Sequence, residues 1–349
     1  MDHIKVLKRA WETIWRYRAL WIFGIILALT TGGGSWPSAR GDGDGGFQYQ
    51  LGKGDIPEIP PQVVGTLIAI GVSLACVFVI LIIVAAIARY VAETALIRLV
   101  DDHEETGETR SVRQGFRMGW SRTAFRLFLI KLLTSLPTAL AFILLFALAL
   151  APLLLWATKS KAAGVIGTVA TIGLFFMVLL LAIVVSVALS LLTKFFWRAC
   201  ALEDLGVIES IRQGFGVVRQ HLKDVGIMWL IMVGVQIGWI MAMIAITIVL
   251  LPVIILLIVV GGVLGGVPAL LVFGLTNLFF EGAVPWILAA VVGIPIFALV
   301  VSVPWLFMGG LMEVFKSSVW TLTYRELRAL ESLEAEPGPL PELDVPGLE

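Results

Sequence analysis

The sequence predicts an all-α, polytopic transmembrane helical bundle of about six spans. It is expected to contain three parallel repeats, each an interfacial amphipathic helix followed by two transmembrane helices. Three observations predict this. Of 349 residues, 59% are hydrophobic and 14% charged, whereas ordinary soluble domains hold about 45–50% and about 25%. Apolar runs that reach the ~20 residues of a spanning helix recur along the chain. A basic hexapeptide also returns in a matching context. Together these exclude disordered, collagen-like, disulfide-scaffold and nucleic-acid-binding classes.

The elements follow in order. Ile4–Trp15 is a basic, helix-patterned segment. Trp15–Leu29 is the first expected span; it is short and begins beside Arg16 and Arg18, which must snorkel to the interface. Residues 31–61 are rich in Gly, Pro and Asp and read as a flexible external loop. Val63–Ala88 is the second span. Phe125–Trp156 is the third, with Pro137 and Pro152 placed to bend or end it. Ala162–Phe196, Val225–Val260 and Pro285–Leu311 supply the rest, and the last runs on past Trp320. Gly261–Gly282 is apolar but broken by glycine and proline, so it reads as a re-entrant or interfacial segment, with two extra spans as the alternative. Residues 331–349 form an acidic, Pro/Glu-rich tail, expected to be disordered and cytosolic. Residues 1–330 are then a single transmembrane domain.

Charge sets the expected orientation. The net charge is +0, yet its distribution is uneven. With both termini in the cytosol, all lysines and arginines except Arg40, Lys53, Lys159 and Lys161 fall on the cytosolic side. The positive-inside rule favours that arrangement. The expected location is a prokaryotic plasma membrane, crossed several times.

Self-similarity is the most informative feature. SVRQGF begins at Ser111 and SIRQGF at Ser210. Each is preceded by an apolar helix and an acidic pair, Asp101–Asp102 or Glu203–Asp204, and followed by another apolar helix. Ile4–Trp15 and Lys316–Glu326 resemble the corresponding parts of a third copy. The repeat units are therefore placed at 1–107, 108–205 and 206–330.

The basic segments carry helical periodicity. In the middle unit Val112, Phe116 and Trp120 share one face, and Arg110, Arg113 and Arg117 another. In the third, Ile208, Ile211, Phe215, Val218 and Leu222 form the apolar stripe, accompanied by Arg212, Arg219 and Lys223. In the first, Ile4, Leu7, Trp11 and Ile14 run beside Lys5, Lys8 and Arg9. Helices of this kind lie in the headgroup plane, where each cation favours anionic lipid by about 1 kcal/mol. Arg113, Phe116, Arg117, Arg212, Phe215 and Arg219 are the candidate lipid- or partner-binding residues. Gly115 and Gly214 interrupt these helices at a cost of ~1 kcal/mol each relative to alanine; a close helix crossing would explain them.

Chemistry-bearing patterns are otherwise scarce. Cys76 and Cys200 lack a CxxC partner, and His3, His103 and His221 form no metal-ligand spacing. No phosphate-binding glycine loop, nucleophile elbow or kinase motif is present. Lys131, one to two turns inside the third span, is placed to snorkel. The expectation is a non-enzymatic protein with no metal and no cofactor, whose partners are membrane lipids, anionic ones above all, or another protein, and not nucleic acid.

Arg113–Phe116, Arg212–Phe215 and the terminal Trp320–Leu327 (WTLTYREL) also carry a resemblance. Residues 1–330 resemble the multi-span membrane domain that precedes the catalytic barrel in some bacterial glycerophosphodiester phosphodiesterases, and that domain's uncharacterised stand-alone relatives. The chain shows no counterpart of the barrel, so no phosphodiesterase residue carries over. The resemblance implies a prokaryotic plasma membrane and a lipid-related role. The expected function is a scaffold or accessory subunit that binds lipid or a protein partner through its basic amphipathic helices. A transporter or flippase for a lipid or small amphiphile is the alternative.

Overall fold

A computed structural model describes residues 1–31, 61–158, 160–280, 282 and 284–335. The expected external loop, apart from its two end residues, lies outside the described residues, as does the expected tail beyond residue 335. Among the described residues there is no strand. The helices are α1 (His3–Arg16), α2 (Ala19–Thr31), α3 (Pro61–Thr106), α4 (Val112–Gly119), α5 (Arg122–Leu150), α6 (Lys161–Leu202), α7 (Val207–Gln220), α8 (Leu222–Val249), α9 (Leu251–Asn277) and α10 (Val284–Ala335). Six are long and apolar enough to cross a membrane: α3, α5 with its 3₁₀ extension, α6, α8, α9 and α10.

The number six agrees with expectation, but its members differ in two places. The first expected span is not one straight helix. α1 and α2 meet at a bend of 102°. The bend falls at Tyr17, whose hydroxyl accepts from the Arg110 N–H at 2.9 Å and donates to the Arg110 carbonyl at 3.0 Å. That side chain anchors the corner. The 13 residues of α2 cover only ~20 Å at 1.5 Å per residue, short of a ~30 Å hydrocarbon core.

The second difference lies at Gly261–Gly282. α9 runs as an unbroken helix from Leu251 to Asn277 through Gly261, Gly265 and Pro268. The glycines serve close packing there, not chain reversal. A Cβ on Gly265 would sit 2.6 Å from the Gly293 carbonyl oxygen of α10, and one on Gly261 would sit 3.2 Å from the Phe297 ring. Small residues let transmembrane backbones approach in this way. Elsewhere the prolines act as expected: Pro137 lies within α5, and at Pro152 the α-helix gives way to the 3₁₀ turn Ala151–Thr158.

The chain divides into two compact units. One holds Met1–Tyr17, Glu93–Met232 and the chain from Phe315 onward. The other holds Arg18–Ala92 and Val233–Val314. The second unit is held by close helix crossings. α2 meets α10 where Gly24 faces Gly310, and Trp21 packs edge-on against Phe307 at 5.5 Å between ring centres. α9 runs antiparallel to α10, from Gly261 beside Phe297 to Phe273 beside Trp286.

The first unit is built on three buried helix ends. Leu96, Ile97, Leu99 and Val100 of α3 are fully buried, as are Phe195, Ala199 and Cys200 of α6 and Val319, Trp320 and Leu327 of α10. Phe195 meets Trp320 edge-to-face at 5.8 Å, a favoured aromatic geometry. α7 packs on α6 and α5, with Ile211 against the Phe196–Cys200 cluster.

Candidate functional site

The polar groups of the first unit join the same three helix ends pairwise. From α3, Arg98 donates to the Ala201 carbonyl at 3.2 Å and to Asp204 at 2.5 Å, both at the end of α6. From α6, the buried Arg198 donates to the Ser317 carbonyl of α10 at 3.1 Å. From α10, Arg325 reaches back to Asp101 of α3. Arg328 and Tyr324 of α10 both bond Glu203, Arg328 at 2.9 Å and Tyr324 at 2.5 Å. The circuit α3 to α6 to α10 to α3 is closed by charge-assisted bonds, which are stronger than neutral ones.

The two acidic pairs therefore have structural partners. Asp101 pairs with Arg325, Asp102 with Arg110, Glu203 with Arg328, and Asp204 with Arg98. Asp102 holds the Arg110 guanidinium above its ordinary pKa through a side-chain hydrogen bond. In the sequence Arg198 counts as one more cytosolic charge, whereas the structure buries it. Its clue was position: it follows Phe195–Phe196–Trp197 directly, where a solvated cation is out of place.

α4 and α7 stand around these helix ends. α4 opens with a capping box: Gln114 N–H donates to Ser111 Oγ at 3.4 Å, and Ser111 N–H donates to Gln114 Oε1 at 2.9 Å. α7 opens one turn earlier in its motif. Gly206 is its N-cap, with the Gly206 N–H donating to Glu209 at 3.2 Å. Ser210 is buried inside the helix and donates back to the Gly206 carbonyl at 2.7 Å. The released Gln213 amide, oriented to satisfy its neighbours, accepts from Arg328 at 2.9 Å.

The small residues of these helices face inward. Gly115 and Gly119 are the buried positions of α4; Ser210, Gly214, Val217 and Val218 are those of α7; Val6, Ala10, Thr13 and Ile14 are those of α1. A Cβ on Gly214 would meet the Phe196 ring at 2.7 Å and the Phe196 backbone nitrogen at 3.0 Å. This is the close crossing that the glycine's cost called for.

The six candidate residues all face outward. Arg113, Arg117, Arg212 and Arg219 are exposed, and Phe116 and Phe215 are 40% and 50% exposed. They do not converge on a pocket. They line the outer faces of two helices, together with exposed Trp120, Ile208 and Leu222; on α1, Ile4, Trp11 and Trp15 are exposed likewise. The expected apolar stripes are thus divided: Val218 and Ile14 pack inward, while the larger aromatic and aliphatic side chains remain outside with the arginines.

Residues 13–323 match the model of a family of unknown function, DUF7544. The chain belongs to this family. No curated protein and no solved structure matches it. The DUF7544 match takes in α4, α7, the buried ends of α3 and α6 and all six candidate residues.

Proposed function

We propose that the chain is a non-enzymatic scaffold or accessory subunit of a prokaryotic plasma membrane, held against anionic lipid or a protein partner by α1, α4 and α7. The observation that carries this reading is the division of those helices. Their small residues are buried in the unit, and their large apolar and cationic side chains are left outside. Aromatic side chains beside arginines suit the headgroup region, where the ring enters the acyl boundary and the cation meets phosphate. The uneven placement of lysine and arginine supports cytosolic termini. The cyclic joining of α3, α6 and α10, with basic helices α4 and α7 following α3 and α6, supports three parallel repeats. The resemblance to the membrane domain of glycerophosphodiester phosphodiesterases supports a lipid-related role.

Replacing Arg113, Arg117, Arg212 and Arg219 together with glutamine tests the reading. The variant is expected to fold as wild type yet retain several fewer anionic lipids, or no copurifying partner, on extraction in polymer discs. Unchanged retention contradicts it.

A second reading, a lipid transporter or flippase, draws support from a polar groove between α5 and α6. Proteoliposomes that fail to move fluorescent phospholipids between leaflets would remove it.

A further inference from the structure

The apolar stretches of α5 and α6 contain few polar side chains, and most of these lie together. From Leu132 to Ala157 the hydroxyl residues are Thr134, Ser135 and Thr138; from Ile172 to Thr193 they are Ser186, Ser190 and Thr193. All six, with Lys131, line one groove of about 270 Å³ between the two helices. Polar residues spread at random over two spans would point in all directions, mostly to lipid. Here these six hydroxyls face the same space, while Thr168 and Thr171, nearer the start of α6, lie apart from it.

The hydroxyls do not serve to join the helices. Thr134 donates to the Ile130 carbonyl at 2.8 Å, Thr138 to Thr134 at 2.7 Å, Ser190 to Val187 at 2.8 Å and Thr193 to Leu189 at 2.7 Å. Each hydrogen is committed to its own helix, so each oxygen keeps lone pairs for an outside donor. Ser135 and Ser186 retain their hydrogens. Lys131 sits ~14 Å along α5 from Arg122, at 1.5 Å per residue. Among the described residues it has no carboxylate partner. Placed to snorkel, its ammonium is available to an anion that a ligand brings to the groove.

We propose that this groove binds the phosphate of a headgroup that carries an O–H or N–H donor of its own. The phosphate accepts from Lys131 Nζ and from Ser135 or Ser186. The ligand's own donor is taken by the threonine oxygens. This site uses none of the residues of the amphipathic-helix interface, so it stands or falls separately from that reading.

The test is a titration of the delipidated full-length chain followed by native mass spectrometry. It is run in high salt, which screens the exposed arginines. The probes are phosphatidylglycerol, phosphatidylcholine, whose headgroup has phosphate but no donor, and inorganic phosphate. Wild type is expected to hold one phosphatidylglycerol roughly tenfold more tightly than phosphatidylcholine. Lys131→Gln is expected to lose roughly tenfold in affinity while Lys131→Arg keeps it. Thr134→Val with Thr138→Val is expected to erase the preference for phosphatidylglycerol, and all variants are expected to melt as wild type does. Competition by inorganic phosphate would assign the site to the free anion, and no competition would assign it to lipid; both keep the phosphate site. Equal binding by wild type and Lys131→Gln overturns the proposal, as does a copurifying protein segment in the groove in place of lipid. Arg113→Gln with Arg212→Gln is expected to leave the single tight lipid in place, so that a failure of the interface reading remains distinguishable.

Discussion

α4 and α7 carry nearly the same hexapeptide and use it differently. In α4, Ser111 is the N-cap and Gln114 closes the capping box. In α7, Gly206 and Glu209 start the helix a turn sooner, so Ser210 becomes a buried interior residue and Gln213 is released to Arg328. The glycine and the Arg–Phe pair do not change roles. Gly115 and Gly214 are buried, and Arg113, Phe116, Arg212 and Phe215 face outward in both. A shared motif therefore need not mean a shared cap. What both copies keep is a thin inner face and a cationic, aromatic outer face.

That comparison can be broken by substitution. The largest expected effect is at the crossing. Gly214→Val drives a side chain into Phe196 and should cost about 3 kcal/mol, measured by chemical denaturation in detergent. Gly216, on the same helix with open space around it, is the control: Gly216→Ala should stabilise by up to about 1 kcal/mol. An equal response at both glycines would refute the packing role.

Next comes the joining of helix ends. Glu203→Ala removes the acceptor of both Arg328 and Tyr324 and should cost about 2 kcal/mol. Smaller still are the caps. Ser111→Ala should cost about 1 kcal/mol, whereas Ser210→Ala, which removes an interior hydroxyl bonded back to Gly206 and to the Cys200 thiol, should cost less, about 0.5 kcal/mol. If the two serines cost the same, the two helices start alike and the comparison fails.

Much of this was legible in the sequence. Hydropathy located the long helices, because ~20-residue apolar runs have few other uses. The basic segments showed as helices because their cations and aromatics fall on separate faces. Gly214 pointed to a crossing, found against Phe196, because a glycine in a helix interior needs a reason. Other features were not legible. The glycines and proline of Gly261–Gly282 looked like a break, since sequence cannot tell a helix-breaking glycine from one buried under Phe297 and Gly293. At the bend before α2, Tyr17 bonds Arg110, a contact across the chain with no local signal. The partners of Asp101, Asp102, Glu203 and Asp204 are equally non-local. Arg198 and the hydroxyl groove of α5 and α6 needed the relative rotation of helices, which periodicity alone does not supply.

The most direct test of the central claim splits the two copies. Arg113→Gln with Arg117→Gln, and separately Arg212→Gln with Arg219→Gln, are compared with wild type for binding to vesicles containing phosphatidylglycerol at low salt. Each pair is expected to lose about 2 kcal/mol, roughly thirtyfold in affinity, with no change in melting temperature. Binding that is unaffected in both variants, or that falls only as melting temperature falls, would contradict the account: the outer faces would then be incidental, and the motif would be about packing alone.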